Sequence, residues 1–300
     1  MKKIKLLGIF VLFVLIFGVL AACGAEKEEQ ENSTSSGGNS GSIVVSGSSA
    51  MQPLVAAAAE KFTAQNPETD ITVNAGGSGT GLSEVSEGTV EIGNSDVFAE
   101  KKDGIPADEL VDHKVAVVGI TAAVNPKAGI DNLSKENLSK VFTKEVTNWS
   151  EVGGNDQAIT LVNRPDSSGT RATFVNFALN GATPAEGVTE NSSNTVRKIV
   201  EETPGAIGYL AFSYFTDKDS VVPLSIDGVE ATDENVQSGE FPVWAYQHAY
   251  TKGEPDGLTK AFLQYLLSDD IQGGLVPEQG YIAASKMQVE RDAKGNLTNK

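Results

Sequence analysis

Ile43-Val44-Val45-Ser46-Gly47-Ser48-Ser49-Ala50-Met51-Gln52-Pro53 joins a β-branched run to a serine and glycine loop, then to an alanine-rich helix at 53–65 whose start the proline marks. The same order of strand, loop and helix returns along the chain. Residues 71–74 lead through Gly76-Gly77-Ser78-Gly79-Thr80-Gly81 into a helical pattern at 81–87. Residues 159–162 lead through Arg164-Pro165-Asp166-Ser167-Ser168-Gly169-Thr170 into another at 170–179. Strand patterns at 115–124, 206–210 and 241–251 alternate with helical ones at 135–142, 194–201 and 258–267. Such alternation predicts an α/β fold. The folded part, 43–300, is longer than a usual single domain, which predicts two lobes.

Each of the three loops stands at a helix N-terminus. The first N–H groups of a helix have no intrahelical acceptor, and the aligned peptide dipoles add partial positive charge there, so anions bind at such ends. Serine and threonine also cap helices that bind nothing, so one loop alone says little; three in one chain point toward an anion. Arg164 lies where a strand runs out into the third loop, placed to hold two oxygens of a tetrahedral oxyanion at once. Asp96 ends the run Ile92-Gly93-Asn94-Ser95-Asp96. Read from its neighbours alone, it caps the next helix.

The N-terminus addresses the chain to a membrane. Lys2, Lys3 and Lys5 precede an uncharged run, 6–22, which has the layout of an export signal. Leu20-Ala21-Ala22-Cys23 then matches a bacterial lipobox, so 1–22 reads as a lipoprotein signal peptide and Cys23 as the acylated first residue of the mature chain. Residues 23–42, rich in Glu, Ser, Gly and Asn, read as a flexible tether. Cys23 is the only cysteine, so the fold rests on its apolar core, for which 40% hydrophobic residues suffice. The formal charge is -17, and losing the three signal lysines takes 23 − 40 to 20 − 40, or -20. That balance argues against nucleic acid as a partner and leaves anion binding to local donors.

Taken together, Gly47-Ser48-Ser49-Ala50 with Pro53, Gly77-Ser78-Gly79-Thr80-Gly81, Ile92-Gly93-Asn94-Ser95-Asp96 and the run from Arg164 to Thr170 resemble the motifs of phosphate ABC transporter substrate-binding proteins, in order and spacing, over nearly the whole mature chain. The resemblance implies a two-lobed periplasmic-binding-protein fold of type II, with two crossover strands and a ligand cleft between the lobes. Lobe 1 would comprise 43–116 and 244–300, and lobe 2 would comprise 117–243. It further implies that inorganic phosphate meets the Ser49 hydroxyl, the Ala50 amide, Ser78, Asp96, Arg164, Ser168 and the Gly169 and Thr170 amides, with Asp166 orienting Arg164. Arg171 is read as a surface residue. The implied partners are the permease subunits of an ABC importer and the membrane, through the lipid at Cys23, on the extracytoplasmic side.

Three other readings compete. A hydrolase of phosphate esters or acyl groups lacks support, because Ser49, Ser78 and Ser168 are outside any Gly-x-Ser-x-Gly and His113 and His248 fall in strands away from the loops. Gly76 to Gly81 imitates a phosphate-binding P-loop, but Leu82 stands where the lysine belongs. No metal-ligand cluster and no cofactor motif is present. Another tetrahedral oxyanion, sulfate or molybdate, is separated from phosphate by Asp96, since a carboxylate repels an oxyanion that has no proton to offer it. An adhesin or signalling lipoprotein that kept the fold has no distinguishing mark in the sequence.

Overall fold

The structure, a computed structural model, describes residues 39–216 and 219–300. The signal peptide expected at 1–22, the lipidation expected at Cys23 and the expected tether as far as residue 38 lie outside the described residues.

The chain opens with β1 (Gly41–Gly47), α1 (Gln52–Gln65), β2 (Thr69–Ala75), α2 (Ser78–Glu87) and β3 (Ile92–Ser95). Then comes the long β4 (Leu110–Val124). A second α/β run follows: β5 (Asn132–Leu133), α3 (Lys135–Phe142), β6 (Thr160–Asn163), α4 (Gly169–Phe177), β7 (Val188–Thr189), α5 (Ser193–Glu202) and β8 (Ala206–Ala211). The short β9 (Val222–Pro223), β10 (Ser225–Ile226) and α6 (Asp233–Ser238) lead to β11 (Trp244–Lys252), α7 (Gly257–Leu266) and a C-terminal hairpin of β12 (Val289–Arg291) and β13 (Leu297–Asn299).

The result is a two-lobed α/β binding-protein fold in which β4 belongs to both halves of the sheet. Strand order is β2-β1-β3-β11-β4-β8-β6-β7, with β9 beside β4. Leu110 to Gly119 of β4 pair antiparallel with β11, while Ile120 to Val124 pair antiparallel with β8. From Val115 onward every residue of β4 is buried, as expected of a strand covered on both faces and therefore written as a continuous apolar run. In the first half, β1 pairs in parallel with β2 and β3, and α1 and α2 are the crossover helices.

Most elements match the reading of the sequence, with shifts that have local causes. β1 starts at Gly41, two residues inside the expected tether, because Gly41 pairs with Thr69 of β2. α2 starts at Ser78 rather than Gly81, since Gly77, at φ +92°, makes the turn that Gly76 to Gly81 was expected to spread over a longer loop. The strand expected from 241 starts at Trp244, after Pro242, which has no N–H to give a ladder.

Packing fixes the third loop. Phe174 on α4 is fully buried, stacked on Tyr209 of β8 at 4.7 Å and edge-on to Phe142 of α3 at 5.2 Å. Burying such a ring contributes about 1.5–3 kcal/mol. It seats α4 so that its N-terminus, Ser168 to Thr170, faces α2.

Candidate functional site

All three loops come together around Asp96. Ser48 is the hinge of the first: its Oγ accepts from the N–H groups of Ala50 (3.1 Å) and Met51 (3.2 Å) and donates to Asp96 Oδ1. Ser49 Oγ lies 2.9 Å from Ser193 Oγ and accepts from the Ser193 N–H at 3.2 Å. Two buried tyrosines fasten this loop from outside, Tyr214 OH donating to the Ser49 carbonyl and Tyr281 OH to that of Ala50. In the second loop, Ser78 Oγ accepts from the Asp96 N–H at 2.9 Å. In the third, Ser168 is the N-cap of α4, accepting from Arg171 N–H at 3.2 Å, and Thr170 Oγ1 donates to Asp96 Oδ2 at 2.8 Å. A hydroxyl that accepts from a helix N–H keeps its own proton for another acceptor.

The halves of the fold meet closely here. Gly79 N–H donates to the Ser167 carbonyl at 2.8 Å, and Lys102 Nζ donates to the Asp166 carbonyl at 3.0 Å. At Gly169 a Cβ would stand 2.2 Å from Ser78 Oγ, so the contact between the α4 and α2 N-termini requires glycine.

Arg164 carries the positive charge. It is 1% exposed. Nε donates to the Glu190 carbonyl at 2.9 Å, Nη2 to the Asn191 carbonyl at 2.8 Å and Nη1 to Ser193 Oγ at 3.0 Å. Its backbone N–H donates to Tyr209 OH at 2.9 Å. Among the described residues no carboxylate lies within ion-pairing distance of it. Burial lowers its pKa, opposed by the charge of Asp96. Burial also raises that of Asp96, against the lowering pull of the Ser48 and Thr170 hydroxyls and of Arg164. A buried cation with neutral partners only, facing a buried acid, is an arrangement that an anion bearing a proton would complete.

Ser49, Ala50, Ser78, Asp96, Arg164, Ser168, Gly169 and Thr170 are thus gathered at one place. Three assignments change. Asp96 caps no helix; its carboxylate is occupied by Ser48 and Thr170. Asp166 does not orient Arg164: its exposed carboxylate pairs with Arg171 Nε at 3.2 Å, because the turn at Pro165 sends it away from the cleft. The orienting groups are instead the carbonyls of Glu190 and Asn191 and the Ser193 hydroxyl. Arg171 is no plain surface residue, since its Nη1 donates to the Arg164 carbonyl at 3.0 Å and its side chain is only 16% exposed. Ser48, Ser193, Tyr209, Tyr214 and Tyr281 escaped the sequence reading. Ser48 stood in the first loop's motif without a role of its own, and Ser193 carried a weaker signal, a serine pair, Ser192-Ser193, opening a helix without a glycine beside it.

The histidines are engaged elsewhere. His248 Nδ1 is 2.8 Å from Asp112 Oδ1 with its ring stacked on Tyr250, and His113 Nε2 is 3.2 Å from Thr251 Oγ1. Among the described residues no group of three His, Cys, Asp or Glu side chains is arranged to hold a metal ion, and no helix is long and apolar enough to cross a membrane.

Residues 32–270 match the model of a PBP superfamily domain. The chain is 63% identical over 299 residues to the phosphate-binding protein PstS of Bacillus subtilis (strain 168), covering 98% of this chain and 99% of that one. Among solved structures it is similar to a Clostridium perfringens substrate-binding protein of the phosphate ABC transporter type with bound phosphate (TM-score 0.74, 31% identity, 81% of this chain and 100% of that one). It is also similar to an ABC-type phosphate transport receptor from Vibrio cholerae (TM-score 0.63, 28% identity, 80% and 99% of the two chains).

Proposed function

The chain belongs to the phosphate-binding proteins of the PBP superfamily, and on that premise we propose that the cleft between Asp96 and Arg164 holds inorganic phosphate, captured outside the membrane for an ABC-type importer. The observation that carries this reading is the pairing of one buried guanidinium, which among the described residues has no carboxylate at ion-pairing distance, with one buried carboxylate, Asp96, whose charge acts on it. Arg164 supplies charge and hydroxyls supply donors; Asp96 supplies the acceptor for the phosphate proton. The phosphate shell comprises the hydroxyls of Ser49, Ser78 and Ser168, the N–H groups of Ala50, Gly169 and Thr170, the Arg164 guanidinium and the Asp96 carboxylate. The Ala50 N–H, which Ser48 also accepts at 3.1 Å, is shared.

The lobes of this reading are 43–116 with 244–300, and 117–243, so the shell draws Ser49, Ala50, Ser78 and Asp96 from one and the rest from the other. A ligand touching both favours the closed state by its differential affinity. In this reading the protein works by binding and release rather than by turnover: neither histidine is hydrogen-bonded to a serine of the cleft, and the Ser48 and Thr170 hydroxyls donate to the buried Asp96 carboxylate that the ligand would face. A lipid on Cys23 holds the domain at the membrane surface near its permease.

Equilibrium titration with phosphate and with sulfate tests the reading. Phosphate binding with sulfate excluded is expected; equal affinities would sink it.

A further inference from the structure

Ser193 is fully buried at the first position of α5, a helix of 10 residues whose own cap is Ser192. Its hydroxyl touches both groups that the phosphate reading places on opposite sides of the ligand: Ser49 Oγ at 2.9 Å and Arg164 Nη1 at 3.0 Å. Its N–H also points to Ser49, at 3.2 Å. Nη1 of Arg164 can only donate, so Ser193 Oγ accepts from it and keeps its own proton, whose neighbours in the structure are Ser49 Oγ and the Tyr214 side chain. The other two Arg164 donors in this set are held by backbone carbonyls, which are fixed by the fold, so Nη1 is the edge whose direction a side chain decides.

We propose that Ser193 is a further contact of the phosphate site, donating its hydroxyl to a ligand oxygen while its lone pair sets the direction of Arg164 Nη1. The inference rests on the phosphate reading above. An oxygen within hydrogen-bond reach of both Ser49 Oγ and Arg164 Nη1 falls within reach of the group that bridges them. α5 would then be a further helix to aim its N-terminus at the anion, adding the partial positive charge of its first turn. A hydroxyl at this position, unlike a second cation, strengthens the grip on phosphate without offsetting the acceptor role of Asp96.

The test is calorimetric titration of the protein with inorganic phosphate, using Ser193→Ala, Ser193→Thr and Arg164→Ala, with ligand-free melting curves of each. Ser193→Ala is expected to bind about 5- to 30-fold more weakly, the loss of roughly one to two net hydrogen bonds. Its ligand-free melting temperature should stay close to that of the native protein, and Ser193→Thr, which keeps the hydroxyl, should recover most of the affinity. Native affinity in Ser193→Ala, or equal losses in the alanine and threonine variants, would overturn the proposal. Native affinity in Arg164→Ala would instead mean that the phosphate site itself has been misplaced.

Discussion

Thr170 Oγ1 donates to Asp96 Oδ2 at 2.8 Å, a hydrogen bond between the N-terminus of α4 and the strand end after β3, 74 residues apart in sequence. It leaves Asp96 an acceptor at the seam between the halves of the fold. Replacing it by asparagine adds a donor where phosphate offers its proton and sulfate offers a bare oxygen. Asp96→Asn should therefore weaken phosphate modestly and let sulfate compete about 10- to 100-fold better than against the native protein, the removal of a penalty of about 1–3 kcal/mol. Competition titrations of the two anions read this directly.

Asp96 should also mark the pH dependence of stability. Burial raises its pKa in the folded protein, so the folded state holds a proton that the unfolded chain releases near pH 4. Stability from this group is fully present below that pH and is lost as pH rises through the folded value. Without ligand, Asp96→Asn should thus be more stable than the native protein at pH 8, and the gap should narrow as pH falls toward 4. Melting curves across that range decide it; a gap that widened toward acid would mean that folding lowers the Asp96 pKa.

Arg164 is held by three acceptors that a lysine cannot satisfy together. Arg164→Ala should cost about 100-fold or more in phosphate affinity, because hydrogen bonds from charged groups are worth about 1.5–3 kcal/mol each. Arg164→Lys should restore only part of it, since the ammonium keeps the charge and loses the fork. Full recovery by lysine would show that charge alone matters.

Gly169→Ala tests closure while keeping every hydrogen-bonding group of the proposed shell, the Gly169 N–H included. Alanine suits the helix, but its Cβ would stand 2.2 Å from Ser78 Oγ and 3.0 Å from Asp96 Cβ. The melting temperature should hold, phosphate affinity should fall at least about 10-fold, and small-angle scattering should show no contraction on adding phosphate. Native affinity with native contraction would refute the seam.

Lipidation is tested by Cys23→Ala. Acyl labelling should vanish and cleavage ahead of residue 23 should stop, while the folded domain itself still binds phosphate. Labelling that survived the substitution would place the lipid elsewhere.

Loops and helix starts could be read from the sequence because their signals are local. Glycine, serine and proline act within a turn, and apolar periodicity acts within one element, so α3 falls at Lys135–Phe142 as expected. The choice of partner among charged and polar groups could not be read in the same way. Asp166 lies two residues from Arg164, yet pairs with Arg171, five residues on in the first turn of α4. Ser193 meets Ser49 across 144 residues, a proximity created only when β6 and β8 bring α5 to the cleft. Tyr214 and Tyr281 hold the first loop from equally remote segments and carry no motif.

Strand β11 lies between β3 and β4 although it starts, at Trp244, 120 residues after β4 ends at Val124. A chain delivered from its N-terminus therefore cannot complete the first half of its sheet early: β3 and β4 wait with facing edges open until Trp244–Lys252 arrives. The second half, β4 with β8, β6 and β7, has all its strands in hand sooner. The half that bears Asp96 thus receives its last strand after the other half has all of its own, and the anion site needs Trp244–Lys252 in place before its sheet is closed.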